Sequence, residues 1–366
     1  MSALQTRLLA EIARRLPFWA RDEVVDPPRL TVGVEHELFL LEAGRPCNHG
    51  GSQALFAAMA REGWAPRIDP GSGLTDGVSA DLGGGGRAWV KYEYDPHLIE
   101  ICTPYSAEVA DVAKYLKLAW QGLICAAEQV GLTVASIPFM DVADQLALAA
   151  ATRLTTTRQL QSTRVRLVTH AGNNAALAGF PAWTAATQTQ VGGLPWFARP
   201  SLVDALYRIE PAAGAMAYRR PPGPAAAMFT RRWEGYEAVY GLTALLGFPD
   251  FRSGWTLEAW ADALLDAPLA GTPDNSWALR RTRDLSEPPG GNWDVFLERV
   301  RDLQLVRPRM SGTLEFRGDP AQPTVEAVIE VAEARLAACR RALDDDVPSG
   351  DYQDARRQWL GGEWLP

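Results

Sequence analysis

The sequence predicts an α+β fold in a single domain, and three observations predict it. Segments that alternate apolar and polar residues with period two are spread along the whole chain. Stretches with helical apolar spacing lie between and after them. No repeat and no linker-like stretch divides the two kinds of segment, so 1–366 reads as one domain, flanked by a helix over 2–16 and a tail over 345–366.

The elements follow in order. Leu4, Leu8, Leu9, Ile12 and Leu16 recur at helical spacing and predict the first helix. Residues 30–41 alternate and predict a strand. The glycine-rich stretch DPGSGLTDGVSADLGGGG (69–86) predicts a loop. Its glycine run 83–86 has no strand-to-helix context and no following lysine, so it reads as a lid over a site and not as a phosphate loop. A strand pair fills 87–104. A long helix follows, opened by Ser106 and closed by Gly131. The segment 131–139 reads as a strand entering a loop, 147–163 as helix and 185–193 as strand. Residues 200–217, 234–247, 256–266 and 293–304 read as helices separated by Pro/Gly loops. A strand over 311–318 and a helix over 324–343 precede the tail, whose 350–366 end is polar and carries Trp359 and Trp364.

Composition excludes several functions. The net charge is −8, which argues against a general nucleic-acid binder. No Gly-Lys-Ser/Thr occurs, so the chain is not a P-loop NTPase. Four histidines leave little room for zinc chemistry. Cys47, Cys102, Cys125 and Cys339 are scattered singly, which reads as a reduced, cytoplasmic protein. No apolar run is long enough to span a membrane.

Four strands share one oddity. In TVGVEHELFLL (31–41), Val32, Val34, His36, Leu38 and Leu40 share one face, and Gly33, Glu35, Glu37 and Phe39 share the other. Two carboxylates therefore sit ~7 Å apart on one side of an apolar strand. In HLIEICTPY (97–105), Glu100 shares a face with Leu98 and Cys102, and Glu93 lies seven residues upstream of it. Gln188 and Gln190 share a face in TQTQVGG, with Gly192 leaving space beside them. Thr313, Glu315 and Arg317 share a face opposite Leu314 and Phe316. A single such strand is ordinarily the solvated side of a half-exposed sheet. Four carrying mostly carboxylate and amide groups are different, because like charges crowded on one face destabilise a sheet. Divalent cations with oxygen ligands would neutralise Glu35, Glu37, Glu93, Glu100 and Glu315. Partial protein ligation leaves room for a nucleotide, and Arg317 has the geometry to grip a phosphate. His36 points to the apolar face and reads as a core residue. Trp183, Trp196, Trp233, Trp255 and Trp260 read as core, with pocket walls as the alternative.

These segments resemble the glutamate–cysteine ligase superfamily, in particular its type-2 carboxylate–amine ligases. GVEHELFLLE is similar to the family's Gly-x-Glu-x-Glu strand. Glu93…Glu100 followed by ICTPY is similar to its second acidic segment, and GTLEFRGDPAQPT to its C-terminal Leu-Glu-x-Arg element. MFTRRWEGY (228–236), ALLDAPLA (263–270) and LQLVRPRM (303–310) follow in the family's order, so the resemblance spans roughly 30–335. It implies a glutamine-synthetase-like fold, shared with guanidino kinases: an antiparallel sheet curved into a half-barrel, helices on the convex side, and ATP with two or three Mg²⁺ or Mn²⁺ ions on the concave face. It implies ATP-dependent amide or peptide bond formation through an acyl phosphate. The partners would be a small carboxylate and an amine from an amino acid, a specialised metabolite or a peptide. The implied metal ligands are Glu35, Glu37, Glu93, Glu100, Gln190 and Glu315. Glu35, Glu315 and Arg317 would serve catalysis, with Arg317, Arg307 and Gln188 on the nucleotide and Arg231 and Arg232 on the substrate. Gln190 departs from the family's usual His or Asn and offers a metal a weaker contact. Arg164, Arg166 and His170 are further pocket candidates. Two other readings stay open: a non-catalytic nucleotide- or metal-binding scaffold, and phosphotransfer to a guanidinium group.

Overall fold

The structure is a computed structural model that describes residues 1–16, 29–83, 86–93, 95–140, 175–218, 232–237, 245–267, 288, 292–300 and 302–362. The helix expected over 147–163, and Arg164, Arg166, His170 and Arg231, lie outside the described residues.

Chain order runs α1 (Ala3–Arg15), β1 (Thr31–Glu42), β2 (Arg45–Pro46), α2 (His49–Arg61), β3 (Ala65–Ile68), β4 (Thr75–Asp81), β5 (Arg87–Tyr92), β6 (Leu98–Cys102), α3 (Val109–Gln129) and β7 (Leu132–Ala135). A 3₁₀ segment (Ala175–Trp183) leads into β8 (Thr187–Gly192) and α4 (Ser201–Tyr218). Then come β9 (Leu246–Gly247), α5 (Leu257–Asp266), α6 (Trp293–Arg299), β10 (Leu303–Gln304), β11 (Val306–Pro308), β12 (Leu314–Phe316), α7 (Val325–Leu343) and α8 (Tyr352–Gly361).

One antiparallel sheet organises the chain, with strand order β11-β12-β8-β1-β6-β5-β4-β3. The short β2 and β7 also pair with β1. The sheet is open: β11 and β3 stand at its two ends and do not pair with each other. The architecture is thus mixed α and β on a large antiparallel sheet, as the alternation predicts.

The period-two pattern decides which face is covered. Val32, Val34, Leu38 and Leu40 of β1 join Val78, Val90, Ile99 and Ile101 of the neighbouring strands beneath α2, α3 and α7. In α3 the buried positions Val112, Leu116, Ala119 and Leu123 recur at three- and four-residue spacing, the stripe a helix needs to lie on a sheet. At the other end, Val191, Val306, Leu314 and Phe316 pack under α1, α4, α5 and α8. Fully burying one such side chain contributes ~2 kcal/mol. His36 lies on this covered face, stacked 4.8 Å from Trp120. Its ring nitrogens meet Thr187 Oγ1 at 2.9 Å and Ser136 Oγ at 3.0 Å. Burial drives its pKa down to about 3, so it is a neutral core residue. Trp183, Trp196, Trp255 and Trp260 are core as well.

Several boundaries differ from the sequence reading. The glycine-rich stretch 69–86 contains β4, which pairs antiparallel with β5 in a register that sets Asp81 opposite Arg87; residues 84 and 85 of its glycine run lie outside the described residues. Ser106 does not open the helix: its backbone bridges to Val32, and α3 starts at Val109 behind Glu108. The segment 131–139 is a strand entering a loop, as read, with the strand over Leu132–Ala135. The helix expected over 234–247 covers 232–237 among the described residues, and Leu246–Gly247 is a strand. The helix over 293–304 ends at Arg299, and Leu303–Gln304 pairs in parallel with Leu246–Gly247. The polar, Trp-bearing C-terminal stretch packs on the body, where α8 buries Tyr352, Ala355 and Trp359. Among the described residues no helix is long and apolar enough to cross a membrane.

Candidate functional site

The opposite face carries the acids, and Glu37, Glu100, Gln188, Gln190 and Glu315 on it are buried. Strand register sets them in rows: Glu37 lies opposite Glu100, and Glu100 opposite Lys91. Glu35 is flanked by Cys102 and Gln188, and Gln190 by Gly33 and Glu315, with Arg307 beyond. Every one of these alternates outward because its neighbours in sequence point into the core. A plug of Phe39, Leu98, Met140, Trp183, Ala185 and Ala321 closes one end of the acidic row.

Among the described residues, two groups of donor atoms converge. Glu37, Glu93 and Glu100 each place a carboxylate oxygen within 4.8 Å of the others, and so do the donor atoms of Glu35, Glu100 and Cys102. Glu100 belongs to both. The first group is all oxygen, the donor type hard divalent cations require. The second adds a sulfur and is softer. The side chains are costly to keep in the absence of a cation. Burial, with the Glu93 charge adding to it, pushes Glu37 up to about 8. Burial also raises Glu35, with Glu315 adding to it, and holds Glu100 well above the usual range, with Glu35 and Glu93 adding to it. A divalent cation reverses that preference by favouring the ionised form. The residues present therefore fit such an ion.

Amides fix the carboxylates. Gln188 Nε2 donates to Glu37 at 3.0 Å, and the Ala186 amide donates to its other oxygen at 2.7 Å. Gln190 Nε2 donates to Glu35 at 2.6 Å, and the Tyr105 hydroxyl donates to the Gln190 carbonyl. Both ends of the Gln190 amide are thus engaged within the protein, and the amide orients Glu35. Gly33 makes room for Tyr105, since a Cβ there would lie 3.0 Å from the ring.

The other half of the face is basic. Glu315 is fully buried and sits under three guanidinium groups: Arg317 at 2.9 Å, Arg309 at 3.2 Å and Arg307 at 3.4 Å. Burial alone would raise Glu315, but Arg317, Arg309 and Arg307 together prevail and hold it at about 2. Glu315 lies outside both donor groups, in an arginine cradle. Arg317 also donates to Gln188 Oε1 at 3.1 Å, which ties the basic half to the acidic half. Arg232 is buried behind the turn after β12, donating to the carbonyls of Arg317 at 3.2 Å and Gly318 at 3.3 Å. Its charge also acts on Glu37 of the acidic face, lowering that carboxyl against burial.

Period two brings together Glu35, Glu37, Glu93, Glu100, Gln188, Gln190, Glu315, Arg317 and Arg307. The sequence reading passed over Lys91, Cys102 as a donor, and Tyr105. Lys91 stands two residues before Glu93, so the same period would have placed it on this face.

No protein-family model matches the sequence, and no curated protein matches it. Solved structures that share features with it include a novel glutamine synthase homolog at 15% identity, with 93% of this chain and 60% of that chain covered and a TM-score of 0.34. A bifunctional glutathione synthetase from Pasteurella multocida matches at 9% identity over 98% of this chain and 42% of that one, TM-score 0.42. Apo GmaS matches at 12% identity over 99% and 68%, TM-score 0.37. The chain thus spans less than two thirds of the length of the first two. TM-scores this low assign neither a fold family nor a chemistry.

Proposed function

We propose that the chain is an ATP-dependent carboxylate–amine ligase that forms an amide or peptide bond through an acyl phosphate. The class is that of glutamate–cysteine ligases, with an amino acid, a specialised-metabolite amine or a peptide as the amine partner. One observation carries the reading: converging carboxylates and an arginine cradle share one face of one sheet, joined by Arg317 and Gln188. That juxtaposition suits a divalent cation beside a polyphosphate, one ligand for each half.

Glu35, Glu37, Glu93 and Glu100 would hold Mg²⁺ or Mn²⁺. A bound cation supplies neutralising charge and polarises phosphoryl oxygens. The remaining work falls to the chain. Gln188 and Gln190 hold Glu37 and Glu35 in place. Glu315 gathers Arg307, Arg309 and Arg317 so that their remaining N–H groups face a phosphoryl group whose charge grows during transfer. When the amine attacks the acyl carbon, phosphate leaves toward the same arginines. No side-chain nucleophile enters this scheme.

The test is ADP release with magnesium and ATP against a panel of carboxylates and amines. The expected result is ADP formation only when an acid and an amine are both present. ADP formed with guanidino compounds alone would replace the ligase reading with phosphotransfer, and no ADP with any pair would favour a scaffold.

A further inference from the structure

A cavity of about 280 Å³ lies beside the edge strand β11, between α5, α6 and the turn that follows β11. Trp260, Leu264, Leu297 and Met310 form its apolar wall. Trp260 is held in place, its Nε1 donating to Asp302 Oδ2 at 3.1 Å and its ring edge-on to Trp196. Arg307 and Arg309 line the cavity too, so two of the three guanidinium groups around Glu315 border a second space. Each spends only Nη1 on Glu315, and among the described residues their Nε and Nη2 atoms make no hydrogen bond. Three guanidinium charges against one carboxylate leave the cradle short of negative charge. An anion on Arg307 and Arg309 matches that charge and the fork of free donors. Asp302, the one carboxylate on the cavity wall, is already spent. Its oxygens accept from Trp260 Nε1, the Gln304 amide and Gln304 Nε2, the last reaching both. Those contacts fill the roughly four lone-pair sites a carboxylate has, so no carboxylate remains here to receive an ammonium. The volume lies at the small end for ligand sites, about 300–1,000 Å³, and suits a small molecule, not a peptide.

We propose that this cavity seats the acid substrate, and that the acid has a single carboxylate on an apolar body, aryl or branched alkyl. The carboxylate lies on Arg307 and Arg309, and the body lies against Trp260 and Leu264. The proposal rests on the ligase reading and deepens it, because the acid is then held by arginines of the cradle that faces the transferring phosphoryl group. Glutamate fits this space poorly. Its ammonium and second carboxylate would be desolvated against an apolar wall, with no carboxylate free to pair with the ammonium.

The probe is phenylpropionate, with its amide, acetate and glutamate as controls. Each is titrated calorimetrically into wild type, Leu297→Glu and Ser311→Glu. Phenylpropionate is expected to bind the wild type at least about tenfold more tightly than any control, since the amide lacks the charge, acetate the body and glutamate the apolar character. Either substitution sets a like charge at the cavity and is expected to weaken phenylpropionate at least about tenfold. Leu297 is half-buried and Ser311 exposed, so Ser311→Glu decides if Leu297→Glu fails to fold. No binding of phenylpropionate by the wild type, or equal binding by wild type and the folded variants, overturns the proposal. The second arm is ADP release with magnesium–ATP and the amine panel, where kcat/KM is expected to be higher for aryl and branched alkyl acids than for glutamate. The reverse order overturns the proposal and leaves the ligase reading standing. No ADP with any acid and amine removes both.

Discussion

Glu315 is the residue on which the basic half of the face is built. It is fully buried and yet ionised, because three arginines surround it. Removing the charge leaves those arginines crowded on one another. Glu315→Gln is therefore expected to destabilise the protein by about 3 kcal/mol, the scale for losing one partner of a buried ion pair. Denaturant unfolding checks this, and a change below about 1 kcal/mol would show that solvent already screens the cradle. At this scale the sequence was largely legible. Period two alone assigned Glu35, Glu37, Glu100 and Glu315 to polar faces and His36 to the core. The neighbours of each acid were not legible. Whether Glu315 meets a metal or an arginine depends on which strand lies beside β12 and in what register, and that is a non-local pairing. Gln190 is the same case: its amide is committed to Glu35 and Tyr105, each from a different segment.

Among the elements, the turn after β12 is tied to α4 and α7 by one buried ion cluster. Arg335 on α7 reaches across to Glu210 on α4 at 2.6 Å and to Asp319 in the turn at 2.5 Å, and all three are buried. The guanidinium also lies 5.2 Å from the centre of the Phe316 ring. The turn it fixes presents the carbonyls that Arg232 binds and starts immediately after Arg317. Arg335→Met is expected to cost about 3–5 kcal/mol, since it strands two buried carboxylates. Thermal unfolding with Arg335→Lys as the conservative control checks this; equal melting temperatures for Arg335→Met and wild type would contradict it. Long, strongly periodic elements such as α3 and α7 were readable from sequence. The region from α2 to β4 was not. Thr75–Asp81 carries Gly77 and two aspartates, and its strand character comes from pairing on both sides with β3 and β5. The reading of 293–304 as one helix failed because Leu303–Gln304 finds a partner in Leu246–Gly247, far away in sequence.

For the whole molecule, the acidic face makes stability depend on pH and, on the proposed reading, on a divalent cation. The folded pKa of Glu37, about 8, stands above its ordinary 4.5. Its contribution is fully present below 4.5 and is lost as pH rises through about 8. Glu35 and Glu100 shift in the same direction. Glu315 shifts the other way: its contribution is present above 4.5 and is lost as pH falls through about 2. The metal-free protein is therefore expected to lose melting temperature between about pH 4.5 and pH 8, and Mn²⁺ to reduce that loss while releasing protons as it binds. Melting curves across that window check the first expectation. Binding enthalpies in buffers of different ionisation heat check the second, and a buffer-independent enthalpy would contradict it. The most direct test of the central claim, that this face binds a magnesium–nucleotide, is calorimetric titration of magnesium–ATP into the wild type and Glu100→Gln. Glu100 belongs to both donor groups. The account predicts saturable binding by the wild type and its loss, or a weakening of at least about tenfold, in Glu100→Gln at unchanged melting temperature. Equal binding by the two chains, or none by the wild type, would contradict it.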